Sequence, residues 1–296
     1  MKRDAGLEPR RYSDARLKLF RLCEEAARRL GGRSFYRRRF LSRGRLRVRQ
    51  EIIQVPRWSP ETPRLRLVQL SDLHAGPFLA EGDLEEVCEV ARELGPDLYV
   101  LTGDLISERT EEAFALIRDL ARLRAPLGSF AVFGNHDYRG RREGEIAGRL
   151  EREAGWRFLR NEGHRFEHHG EPVHLTGLED LEEARRVDPE GARSGLESTD
   201  TEILLVHNPG FSGELLEANT QLVLSGHSHG HQVDLPFVRR FAPRHPGDRV
   251  ERGDTVCITS RGLGALGLPL RIASPAELVC IDLIPAGSAG RSKPSL

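Results

Sequence analysis

The chain has 296 residues, 38% of them hydrophobic and 30% charged, which excludes a wholly disordered or collagen-like protein and leaves room for a substantial core. No run of about 18 apolar residues occurs, which excludes a membrane-spanning helix. Lys+Arg and Asp+Glu both number 45, yet residues 1–44 carry 14 basic against 5 acidic side chains, so a basic arm precedes a mildly acidic body.

In the arm, Ser13 is a candidate N-cap and Gly31-Gly32 a candidate stop. Between them Leu19, Cys23, Ala26 and Leu30 share one face of an amphipathic helix. Such a helix either docks on the chain's own body or lies on anionic lipid headgroups. Arg37-Arg38-Arg39-Phe40-Leu41 resembles a twin-arginine export signal, but the residues that follow are too charged for the required apolar region, so no export is expected. Cys23, Cys88, Cys257 and Cys280 lack CxxC spacing, which argues against disulfides or a thiolate zinc site and fits a reducing, cytoplasmic setting.

From Leu46 the pattern turns into short apolar runs alternating with helical ones. Strands are expected from Leu46, over 65–70, 97–101 and 129–133, with helices over 82–94, 110–123 and 143–155. Strands then dominate, at about 157–160, 164–168, 173–177, 202–206, 221–225, 232–235, 254–259 and 277–284. The alternation predicts an α/β fold whose chemistry sits beyond the strand C-termini. The expected organisation is an arm over 1–44, one catalytic domain over 45–285 and a disordered tail over 286–296.

Five strand ends carry the informative residues. They are Ser71-Asp72-Leu73-His74, Thr102-Gly103-Asp104, Gly134-Asn135-His136-Asp137, His207-Asn208-Pro209 and Gly226-His227-Ser228-His229-Gly230-His231. One Asp or His at a strand end is ordinarily a turn residue, but five such ends together supply the donors of a metal centre. Oxygen plus imidazole donors suit Mn, Fe or Zn better than calcium. Two such ions about 3.5–4 Å apart can hold a bridging hydroxide as nucleophile and offset charge on a phosphoryl group. His164, His168, His169, His174 and His245 lack this context and read as surface or loop histidines.

The order Asp-x-His, Gly-Asp, Gly-Asn-His-Asp, His, Gly-His-x-His resembles the calcineurin-like metallophosphoesterase superfamily. Leu70-Ser-Asp-Leu-His-Ala-Gly, Leu204-Leu-Val-His-Asn-Pro and the segment from Thr259 to Arg271 are similar to its YaeI/YkuE-type bacterial phosphodiesterase branch. The resemblance implies a four-layer α-β-β-α sandwich. It also implies that Asp72, His74 and His229 bind one metal, that Asn135, His207 and His227 bind the other, and that Asp104 bridges. His136 would be the general acid or a phosphate-oxygen donor. Many relatives place an Asp where this chain has Ser107, which would polarise His136 less unless another carboxylate such as Asp137 compensates. Arg261 and His231 are candidate substrate contacts.

The expected function is a dimetal phosphoesterase acting on a phosphodiester or pyrophosphate bond. Its rivals are a UDP-2,3-diacylglucosamine-type pyrophosphatase at the membrane surface, a nuclease, and a non-catalytic metal-binding relative. Expected partners are a phosphate-ester substrate and, through residues 1–44, the inner face of an anionic membrane; neither nucleic acid nor a protein partner is expected.

Overall fold

The structure, a computed structural model, describes residues 22, 24–235 and 249–287. Its strands are β1 (Arg47–Val55), β2 (Leu65–Leu70), β3 (Leu98–Thr102), β4 (Ser129–Val132), β5 (Trp156–Phe158) and β6 (Glu162–His168). Then follow β7 (Glu171–Gly177), β8 (Thr201–Leu205), β9 (Thr220–Ser225), β10 (Arg249–Arg252), β11 (Thr255–Thr259) and β12 (Glu277–Pro285). They form two six-stranded sheets, ordered β1-β12-β2-β3-β4-β5 and β10-β11-β9-β8-β7-β6. Each has a parallel centre, β2 to β5 in the first and β7, β8, β9 and β11 in the second.

Alternate side chains of one strand feed different apolar layers, as the two-residue period of a strand requires. Leu98 and Val100 of β3 point between the sheets, whereas Tyr99 and Leu101 meet the helices. Likewise Ile203 and Leu205 of β8 face the first sheet while Leu204 faces outward. The central strands are therefore apolar on both faces, which is why they read as continuous hydrophobic runs.

Helices Glu85–Glu93 and Glu143–Ala154 cover the first sheet, burying Val87, Cys88 and Ala91 from one and Ile146, Leu150 and Ala154 from the other. The outer cover of the second sheet is thinner than a helical layer. It consists of a one-turn helix, Pro189–Ala192, a 3-10 segment, Pro209–Leu215, and the connecting loops. Residues 178–216 supply few apolar side chains for this role, and a buried Glu202 paired with Arg193 and Thr176 fills part of the layer instead.

Four local features differ from the expectations. The helix expected over 110–123 is two short pieces, Thr110–Phe114 and Ile117–Leu120. Residues 232–235 form no strand, because Gln232 is left-handed (φ 47°) and Val233 makes a single bridge to Ile272. The hairpin strand β10 was not anticipated. His168 and His174, read as surface or loop residues, are buried in β6 and β7, where they meet the Pro63 carbonyl and the Thr176 hydroxyl.

The greater part of the expected Ser13–Leu30 helix lies outside the described residues; residues 24–29 are helical. Beyond a left-handed Gly31, helix Gly32–Tyr36 runs into wider turns over Arg37–Leu41. Tyr36, Phe40 and Leu41 are buried in the same core as the helix-facing side of the first sheet. Arg33 and Arg43 pair with Asp83 and Glu93, and the Arg43 amide donates to Glu86 at 2.8 Å. The described end of the arm thus docks on the body. No helix among the described residues is long and apolar enough to cross a membrane.

Candidate metal centre

Strands β2, β3 and β4 of the first sheet end at Asp72 and His74, Asp104, and Asn135 and His136, while β8 and β9 of the second end at His207 and at His227 and His229. The backbone bends sharply there. Asp72, His74, Asp104, His227 and His229 have φ of 49°, 45°, 55°, 73° and 51°, a region non-glycine residues seldom occupy and that costs about 1–3 kcal/mol per residue. The bends are fastened by backbone bonds, Asp72 N to Gly103 O and His74 N to Asp104 O, both 3.0 Å. Asp137 completes the clamp: its carboxylate accepts from the amides of Gly134 and Asp104 (2.9 Å each), Leu105 (2.8 Å) and Ile106 (3.3 Å). At Gly103 φ is 86° and a β-carbon would overlap the Gly134 backbone and the His207 ring, so glycine alone fits.

The bends bring six side chains into two overlapping donor groups, with Asn135 beside the second. Donor atoms of Asp72, His74, Asp104 and His229 lie within 4.8 Å of one another, as do those of Asp104, His207 and His227. His74 Nε2 and His229 Nε2 are 2.9 Å apart, and Asp72 Oδ1 is 3.4 Å from His229 Nε2. Asp104 Oδ2 stands 3.4 Å from His74 Nε2 and 3.3 Å from His207 Nε2. Asn135 Oδ1 lies 3.1 Å from His227 Nδ1. The His207 ring donates through Nδ1 to the Thr102 carbonyl (2.7 Å), and its Nε2 is buried without a hydrogen-bond partner. A carbonyl on the outer nitrogen is the usual way of aiming the inner one at a metal.

Electrostatics fit a cation as well. Burial opposes the charge on Asp104, but His207 and His136 beside it hold its carboxyl well below the usual range. Burial drives His74, His136 and His229 below the ordinary histidine value and takes His227 down to about 4, so their lone pairs are free at neutral pH. Burial and then the Asp104 charge raise Asp72 to about 6, against the opposing effect of His207. Orphaned nitrogen, facing imidazoles and a shared carboxylate are what divalent ions would satisfy.

His136 belongs to neither donor group. Its Nδ1 lies 2.8 Å from the Ser107 carbonyl, its ring meets His74 edge-on, and its amide donates to Asp104 Oδ1 (2.8 Å). The ring is thus held by the backbone at Ser107, whose hydroxyl bonds to the His74 carbonyl instead. Asp137 does not pair with His136, being wholly taken up by backbone amides. His231 ends the 3-10 turn with Nδ1 3.3 Å from Asp234. The Arg261 amide donates to Glu277 (3.0 Å), and the arginine's side chain runs past Gly230. Sequence reasoning missed Asp180, a buried carboxylate after β7 with one oxygen unpartnered, and the Tyr36–Arg271 contact, for which no motif gave a signal.

Two facing sheets with metal donors gathered at their adjoining strand ends define a metal-dependent phosphoesterase fold. Residues 65–231 match the sequence pattern described as calcineurin-like phosphoesterase. The chain belongs to that family. It is 31% identical over 226 residues to the uncharacterized metallophosphoesterase YkuE of Bacillus subtilis, covering 74% of this chain and 78% of that one. An uncharacterized metallophosphoesterase of Aquifex aeolicus is also 31% identical, over 80% of this chain and 92% of its own. The UDP-2,3-diacylglucosamine pyrophosphatase LpxG of Chlamydia trachomatis is 28% identical, over 65% of this chain and 71% of its own.

Proposed function

We propose that the chain hydrolyses a phosphodiester or pyrophosphate bond with two divalent transition-metal ions. The observation that carries this reading is the single Asp104 oxygen shared by two donor groups. Asp72, His74 and His229 would hold one ion and Asn135, His207 and His227 the other, with Asp104 available to both. Ions at these positions supply a water of lowered pKa and positive charge towards the phosphoryl oxygens.

The protein's own groups do the rest. His136, its Nδ1 proton given to the Ser107 carbonyl, has Nε2 for the substrate. To act as general acid it must carry a second proton there, which burial opposes and an entering phosphate anion favours. The fixed backbone bends hold the donors in place before substrate arrives, so little reorganisation is left for the reaction itself. His231 and Arg261, on the turn and loop beside His229, serve as substrate contacts.

The test is elemental analysis with parallel assays on a bis-aryl phosphodiester, an aryl monophosphate, a cyclic nucleotide and a UDP-lipid analogue. Wild type should carry about two ions and prefer a diester or the UDP-lipid, and Asp104→Asn should lower both occupancies. One ion or fewer at full activity refutes the dimetal reading.

One observation favours the UDP-diacylglucosamine-type reading. Leu30 is 87%, Phe35 48% and Leu268 49% exposed, and Arg38, Arg39 and Arg45 adjoin Phe35 around one hollow. Gly267, beside Leu268, donates its amide to Glu24 at 2.9 Å, joining the loop to the arm. Exposed apolar side chains, one of them beside three arginines, match an anionic lipid surface, on which the protein would work from the cytoplasmic face.

A further inference from the structure

Arg271 is a buried cation, 5% exposed, and no carboxylate among the described residues pairs with it. An arrangement this costly is retained only where the hydrogen bonds are well used. Nη1 donates to the carbonyls of Arg261 (2.9 Å) and Ser274 (3.3 Å). Nε donates to the Gly264 carbonyl (3.0 Å) and the Tyr36 hydroxyl (2.9 Å). Nη2 donates to the Gly264 carbonyl and comes 3.5 Å from His229 Nδ1, the nitrogen on the far side of the ring from the cluster.

Tyr36 acts on the same loop from the arm. Its buried hydroxyl is shared between the carbonyls of Leu263 (2.6 Å) and Gly264 (2.7 Å). The amides of those two residues donate in turn to Ser71 O (3.0 Å) and Asp72 O (2.7 Å). The approach is so close that a β-carbon on Gly264 would overlap the Leu73 carbonyl. On the other side, Ser274 Oγ donates to the His229 carbonyl at 2.7 Å. Three of these bonds, from Leu263 N, Gly264 N and Ser274 Oγ, end on backbone at Ser71, Asp72 and His229, and the others hold in place the loop that makes them.

We infer that Tyr36 and Arg271 are positioning residues for the ion held by Asp72, His74 and His229, so that the end of the arm is part of the metal centre. Both residues lie outside the stretch 65–231 that defines the family match. The inference rests on the dimetal reading. Arg271 fixes the loop through its carbonyls, while Tyr36 ties that loop to the arm.

The test is Mn(II) titration of folded wild type, Tyr36→Phe and Arg271→Lys, followed by electron paramagnetic resonance. Tyr36→Phe removes one oxygen and keeps the ring's packing; Arg271→Lys keeps the charge and loses the fork. In both variants one of two ions should bind about 10–100-fold more weakly, the usual effect of losing an outer partner of a metal site, while the other stays near wild type. Equal weakening of both ions, or none, overturns the inference, and Tyr36→Phe alone decides if Arg271→Lys does not fold. Wild type that binds no ion would instead overturn the dimetal reading.

Discussion

His207 differs from the other imidazoles of the cluster. Burial opposes its protonation, but Asp104, Asp72 and Asp180 outweigh burial and lift it well above the ordinary histidine value. Without metal, the Asp104 carboxylate 3.3 Å from Nε2 favours a proton on this ring. A group raised in this way contributes stability that is complete below about pH 6.5, its unfolded value, and fades as pH climbs through the raised folded value. Metal binding runs against that proton. At neutral pH, calorimetric titration in buffers of different ionisation enthalpy should report about one proton released on loading, and metal affinity should fall as pH is lowered. Proton-neutral loading would contradict the assignment. At His136 the leaving group is the probe. His136→Ala should keep its metal and lose activity on alkyl diesters by about 10²–10⁴-fold, with a smaller loss on nitrophenyl esters, whose leaving group needs no proton. Equal losses on both would point to a purely electrostatic role, and loss of metal would make the residue a ligand.

Among the elements, the turn between β4 and helix Glu143–Ala154 has the largest structural role, because Asp137 gathers four backbone amides from two strand ends. Asp137→Ala leaves those amides buried and unpaired, at about 1–3 kcal/mol for each that finds no water. Urea unfolding of the metal-free variant should show a loss of about 3 kcal/mol or more; an unchanged midpoint would mean that the turn holds without it. The sequence made these strand ends legible because short apolar runs such as Leu98–Leu101 and Ile203–Val206 stop abruptly at Thr-Gly-Asp and at His. The seven expected donors accordingly fall together. What remained hidden depends on contacts distant along the chain. Asp137 is the carboxylate nearest His136 in sequence, and spacing alone cannot tell that its oxygens turn back to Asp104 N. Tyr36 and Arg271 are 235 positions apart, and nothing local marks either. Residues 232–235 have a strand's composition, but the left-handed turn before them forbids the extended path.

For the whole molecule, the arm has two faces with separate consequences. Arg33 and Arg43 are spent on Asp83 and Glu93, whereas Arg38, Arg39 and Arg45 surround the exposed Phe35. Of these two sets among the described residues, the second is the one placed to serve a lipid surface. Sedimentation with phosphatidylglycerol vesicles should pellet the wild type in a salt-sensitive manner, and Phe35→Ser with Arg38→Glu and Arg39→Glu should abolish it. Pelleting that is absent, or indifferent to both salt and substitution, would exclude this face as the membrane contact.

The proposed donors are divided between the sheets: Asp72, His74, Asp104 and Asn135 come from the first, and His207, His227 and His229 from the second. Ions held between them would be crosslinks, closing loops of about 70 to 160 residues without a covalent bond. With both proposed ions bound, the strand ends of the two sheets would part only as the ions leave. The lifetime of the loaded fold is therefore set by how fast the ions leave, and a chelator acts on it as a reductant acts on a disulfide-stapled protein.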